Sequence, residues 1–150
     1  MAKYMVSTNR EFVNKVSRED MGRFNRTFVA RSLSDIEIMA EICEGFSIGP
    51  VFATELKEGY STTRNKAHWL CTQMVCLDFD DHALYTNIAD DEFVKQYASF
   101  VYTTPSHTDT DHRCRAIFLL SYPMDDSDLF ERCVSGLLDR FPLADVSCKD

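Results

Sequence analysis

The sequence predicts an α/β fold with a mostly antiparallel sheet flanked by helices, and three observations carry that expectation. The stretch Met74-Val75-Cys76-Leu77-Asp78-Phe79-Asp80-Asp81 reads as a buried strand ending in acids. Residues 99–103 and 114–121 read as two strands of an antiparallel hairpin joined by a long polar loop. Amphipathic helical patterns begin at Ser34 and at Asp126-Ser127. A chain of 150 residues is about one domain long, and 45% hydrophobic residues with 11 Phe and 6 Tyr can build a sizeable core.

The first thirty residues carry no clear pattern. Ser34 followed by Glu37 makes a capping box ahead of Ile38, Met39, Ile42 and Cys43, and Gly45 can close that helix. Gly49-Pro50 marks a turn, residues 51–54 a short strand, and Glu58-Gly59-Tyr60-Ser61 a loop. The acid-tipped strand runs from about Thr72 to Asp80. Asp90-Asp91 stands where an N-cap precedes a helix through Phe93, Val94 and Tyr97. After the hairpin, a helix carries Leu129, Phe130, Cys133, Val134, Leu137, Leu138 and Phe141 on one side, and Pro142 ends it. Asp145 is expected at the start of one more strand. Phe100, Tyr102 and Phe118 are expected in the core.

The net charge of −8 speaks against a general nucleic-acid binder, whose affinity rests on Lys and Arg meeting phosphates. The distribution is uneven: residues 1–31 form a basic segment with seven Lys/Arg against three acids, and residues 32–150 hold nine against twenty-one. The six cysteines include no Cys-x-x-Cys pair, which argues against a zinc ribbon or a disulfide framework. His107, His112 and Cys114 fall on one loop-and-strand segment without a partner pair elsewhere, so they do not make a zinc motif. No apolar run approaches the ~20 residues of a membrane span, and Met1-Ala2-Lys3-Tyr4 does not start a signal peptide, so a cytoplasmic protein without a membrane partner is expected.

Side chains alternate along a strand, so Val75, Leu77 and Phe79 point one way while Cys76, Asp78 and Asp80 point the other. Like charges side by side repel, and a hard divalent cation such as Mg²⁺ or Mn²⁺, which prefers carboxylate oxygen, relieves that repulsion. The chemistry this suggests is metal-assisted and directed at a phosphate. Asp109, Asp111, Asp125, Asp126 and Asp128 read instead as solvated loop and capping acids.

Three features fall in order: Leu77-Asp78-Phe79-Asp80, then Tyr102-Thr103-Thr104-Pro105-Ser106-His107-Thr108, then Ala144-Asp145. That order resembles the archaeo-eukaryotic primase superfamily, the primase-polymerases of plasmids, phages and mobile elements. The flanks share the likeness: Arg64-Asn65-Lys66 and Trp69, Arg113-Cys114-Arg115-Ala116-Ile117-Phe118, and Ser147-Cys148-Lys149-Asp150. It covers roughly residues 45–150. Ser106 and His107 are adjacent here, whereas some branches separate them.

The resemblance implies an RRM-like sheet and a single catalytic domain over residues 1–150. Members usually continue with further strands and basic residues, so it also implies truncation after the third motif, with weakened or absent activity. By the same likeness Asp78, Asp80 and Asp145 would be catalytic and would hold two Mg²⁺ or Mn²⁺ ions. Ser106, His107, Arg64, Lys66, Arg113 and Arg115 would bind nucleotide. The implied activity is template-directed nucleotidyl transfer, as a DNA primase or DNA polymerase in replication. Its partners would be nucleoside triphosphates, a single-stranded DNA template, and a helicase domain or replication protein.

Two other readings stay open on the sequence. A metal-dependent nucleotide phosphohydrolase or nucleotide-sugar transferase also uses an Asp-x-Asp strand end. His82 counts against the aspartate-nucleophile phosphatases, which usually place Thr or Val there. The third is a non-catalytic module that binds nucleotide or nucleic acid.

Overall fold

The computed structural model describes residues 2–80 and 83–149. Asp81 and His82, and with them the argument from His82, lie outside the described residues, as does Asp150. The fold is mixed α/β with antiparallel strand pairing. It divides into two compact units, one of Met1–Met74 with Leu120–Ser127, the other of Val75–Leu119 with Asp128–Asp150.

The first unit holds a sheet that the sequence did not reveal. Strand β1 (Tyr4–Val13) lies between β2 (Val29–Leu33) and β3 (Phe46–Gly49), antiparallel to both, and a single helical turn, α1 (Met21–Phe24), precedes β2. Four consecutive β1 residues, Val6, Ser7, Thr8 and Asn9, are buried, so the chain never alternates apolar with polar. The buried polar groups are satisfied at long range: Ser7 Oγ donates to the Pro50 carbonyl at 2.5 Å, and Asn9 Nδ2 to Phe24 O at 2.9 Å and Thr27 Oγ1 at 2.8 Å.

Helix α2 (Asp35–Cys43) starts at the expected capping box, with Ser34 accepting from Glu37 N and the Glu37 carboxylate accepting from Ser34 N at 2.7 Å. Gly45 follows with φ 79°, and its N–H donates to Ile42 O at 3.0 Å. The next strand, β4 (Val51–Phe52), is shorter than expected. His68 is buried in a 3₁₀ turn (Lys66–His68); its Nε2 accepts from Lys57 N at 2.8 Å and its Nδ1 meets Asn65 Oδ1 at 2.8 Å.

Two long strands, β5 (Trp69–Phe79) and β7 (Cys114–Met124), have residues in both units, in the strand order β4, β5, β7, β6. Within the second unit β6 (Phe100–Thr103) pairs antiparallel with β7, Phe100 opposite Ile117 and Thr103 opposite Cys114, which is the expected hairpin. Helix α3 (Tyr85–Asp90) was not anticipated. Helix α4 (Glu92–Tyr97) opens at Asp91, whose carboxylate accepts from Phe93 N and Val94 N.

Helix α5 (Ser127–Arg140) turns Val134 fully inward, with Phe141 buried just beyond it. Leu129 and Cys133 are exposed, while Phe130, Leu137 and Leu138 are half-buried around Val134, so the inward stripe is narrower than the sequence suggested. Phe79, Phe93, Phe118 and Phe141 form the aromatic core of this unit, with Phe79 and Phe141 edge-to-face at 6.1 Å. Phe118 is buried as expected, while Phe100 and Tyr102 are half-buried.

Past α5 the chain does not form the expected strand. It closes in a 3₁₀ turn (Val146–Lys149) begun by Asp145, whose Oδ1 accepts from Ser147 N at 2.8 Å. A local side-chain bond of this kind favours a turn over a ladder. Among the described residues no helix is long and apolar enough to cross a membrane.

Candidate functional site

The predicted alternation sets the site. Along the end of β5, Val75, Leu77 and Phe79 are buried, whereas Cys76, Asp78 and Asp80 are half-exposed on the other face. The strand ends at Phe79, so Asp80 stands just beyond the last ladder residue.

Asp78 sits at the centre of a set of contacts confined to the second unit. Its two carboxylate oxygens are held by Arg115 of β7 in a bidentate fork: Nε meets Oδ1, and Nη2 donates to Oδ2 at 2.8 Å. Its carbonyl accepts from Asp145 N at 2.7 Å, and its own N–H donates to Cys148 Sγ at 3.2 Å. The segment after α5 is therefore pinned to the strand end, and Asp145 lies beside Asp78 although 67 positions separate them in the chain.

Arg113 performs a similar office for Asp80. Its Nη1 is 3.6 Å from Asp80 Oδ2, and its Nε donates to Asp111 Oδ2 at 2.9 Å. Asp111, expected to be merely solvated, is thus a partner of Arg113. The Arg113 N–H donates to His107 Nδ1 at 3.1 Å, so His107 is tied through Arg113 to the Asp80 carboxylate. His107 and His112 stand with ring centroids 5.0 Å apart, and His112 Nδ1 accepts from Tyr85 N at 3.2 Å. Ser106 is exposed beside His107.

Arg113, Arg115, His107, Asp78, Asp80 and Asp145 all belong to the second unit. Arg64 and Lys66 belong to the first.

The electrostatics follow from this packing. Burial disfavours the Arg115 cation, but the Asp78 carboxylate and the neighbouring Cys76 and Tyr102 groups outweigh it, and the guanidinium pKa is raised. Burial, and then the Asp78 and Asp80 carboxylates, push the Cys114 thiol up to about 11. Cys76 is also raised, chiefly by burial, and its Sγ lies 3.8 Å from Asp78 Oδ1. Cys76, Tyr102 and Cys148 lie about Asp78 and Arg115, although none of them was expected from the sequence to have a role in the site. For Cys76 the signal was present, since it shares the face of Asp78. Tyr102 and Cys148 come from other elements, which periodicity does not connect.

The donors suit a hard divalent ion, because a carboxylate has about four lone-pair sites and all three acids offer oxygen. Arg115 holds both Asp78 oxygens, and among the described residues no group of three His, Cys, Asp or Glu side chains is gathered as a cage. A cation at this place competes with Arg115 for the Asp78 carboxylate.

No protein-family model, no curated protein and no solved structure matches the chain.

Proposed function

We propose that the chain is the catalytic domain of a primase-polymerase. On this reading an RRM-like antiparallel core carries the acids, and nucleotides are joined under the direction of a single-stranded DNA template. One observation supports it most. The Asp145 N–H bond to the Asp78 carbonyl brings the third acid of the motif order to the strand end that bears the other two.

Asp78, Asp80 and Asp145 would hold Mg²⁺ or Mn²⁺, which when bound would supply charge neutralisation and Lewis-acid activation for attack of a primer 3′-hydroxyl on a nucleotide phosphate. Arg115, freed from Asp78, keeps its planar fork within reach of the phosphates, where guanidinium groups bind well. His107 has its Nδ1 committed to Arg113 N–H, so the neutral ring carries its proton on Nε2 and donates from there to a phosphate oxygen. Ser106 supports it, and Arg113 balances the charge of Asp80. A helicase domain or replication protein is the natural partner of such a domain.

Extension of a primed single strand in Mn²⁺ tests the proposal, with Mn²⁺ binding followed in parallel by electron paramagnetic resonance. Asp78→Ala and Asp80→Ala are each expected to lose about 10²-fold or more in incorporation and to bind Mn²⁺ more weakly. Full activity in either variant refutes the metal assignment. Phosphate release from a triphosphate without template makes the chain a phosphohydrolase instead.

A further inference from the structure

The first unit contains a cationic cavity that the acids of the second unit do not explain. It encloses about 390 Å³, and its wall includes Ser7, Asn25, Arg26, Thr54, Thr63 and Arg64, with two arginines and no carboxylate among the lining residues. A second cavity of about 490 Å³ shares Arg26, Thr54 and Thr63 with it and is likewise free of acids. In a chain of 24 acids and 16 Lys/Arg, that composition stands against the background.

Arg64 is the central group. Its guanidinium lies over the rings of Phe28, at 4.3 Å from the centroid, and Phe24, at 5.2 Å. Among the described residues it meets no carboxylate and donates no side-chain hydrogen bond. Most other arginines do otherwise: Arg10 pairs with Glu41, Arg23 with Glu11 and Arg140 with Asp91. Burial alone accounts for the depressed pKa of Arg64, with no acid to offset it.

Stacking on aromatic rings returns roughly 0.5–2 kcal/mol, and it leaves the N–H donors of the half-buried guanidinium open to solvent or to a ligand. The backbone that presents them is fixed. Arg64 N donates to Thr62 Oγ1 at 3.2 Å, and Asn65 Nδ2 donates to Thr62 O at 2.6 Å.

We infer that this cavity is a phosphate-ester site, in which the Arg64 fork and Arg26 clamp the phosphate oxygens and the Thr54 and Thr63 hydroxyls donate from the rim. A planar fork, neighbouring hydroxyls and no competing acid suit a phosphate better than a carboxylate ligand, because a tetrahedral oxyanion accepts from several directions at once. The same chemistry is offered by a mononucleotide and by a single-stranded nucleic acid, and binding assays separate the two. Arg64 is one of the nucleotide contacts that the resemblance implies, but the cavity lies in the first unit and uses none of the acids of the proposed metal centre, so a test in EDTA separates the two.

The test uses the full chain in EDTA, with anisotropy of fluorescein-labelled dT10 and of a fluorescent ATP analogue. Arg64→Gln is expected to weaken binding about 10-fold or more. Arg18→Gln, which removes the same charge from an exposed loop residue, should change it less than about 2-fold. Weakening confined to dT10 assigns the site to a strand, and confined to the mononucleotide assigns it to a free nucleotide. Equal effects of the two substitutions, or no binding of either probe, overturn the inference.

Because Arg64→Gln can cost stability, the unmodified chain supplies a second readout. Phenylglyoxal labelling of Arg64, mapped by mass spectrometry, should be slowed by whichever probe binds. Labelling unaffected by both probes overturns the inference as well.

Discussion

At the scale of single residues, the pairing of Asp78 with Arg115 and the long-range bond from Asp145 decide what the strand end can do. Period-two alternation made Asp78 and Asp80 legible as one face, because a strand fixes side-chain direction locally. Their partners were not legible, since neither the Arg115 fork nor the Cys148 contact follows from any local spacing. Cys114, buried beside these acids, makes the arrangement measurable. Its thiol is pushed up to about 11 from an ordinary value of 9.0, so an unfolded chain loses that proton first. Above about pH 9 the folded state binds more protons than the unfolded state, and stability falls until the folded thiol also ionises near 11. Urea denaturation in EDTA should therefore find the stability advantage of the wild-type chain over Cys114→Ala shrinking between pH 9 and pH 11. An advantage that does not change with pH would mean that neither burial nor the neighbouring acids raise the thiol.

At the scale of elements, α2 was readable at both ends because capping is local chemistry, whereas β1 was unreadable because its buried Ser7, Thr8 and Asn9 are satisfied by groups distant in sequence. The strand expected after α5 failed for a related reason. Asp145 bonds its own backbone two residues on, and the segment is held to β5 by single contacts, without a ladder. The closing glycine of α2 gives a sharp test. Gly45 has φ 79°, and a Cβ there would stand 2.6 Å from Asn14 Oδ1 and 3.0 Å from Val13 Cγ1. Asn14, itself at φ 60°, donates its N–H to Gly45 O at 2.8 Å, so the two left-handed residues brace each other. Gly45→Ala adds a left-handed penalty of roughly 1 kcal/mol to the cost of moving Asn14. A loss of about 1–3 kcal/mol in urea denaturation is expected. A neutral effect would place the helix end elsewhere.

At the scale of the whole molecule, charge sets how an anion first meets the chain. A net charge of −8 repels a nucleoside triphosphate at long range, while Arg26, Arg64, Arg113 and Arg115 act only close by. The screening length is roughly 30 Å at 0.01 M salt and about 8 Å at 0.15 M, so added salt removes the distant repulsion before it weakens a contact pair. In EDTA, stopped-flow association of a fluorescent triphosphate should therefore speed up as salt rises over that range, opposite to the behaviour of a basic nucleic-acid binder. With Mn²⁺ present the dependence should flatten, because Mn²⁺ reduces the charge of the triphosphate itself. A rate that falls steeply with salt in EDTA would mean that local arginines, and not the overall charge, govern the encounter.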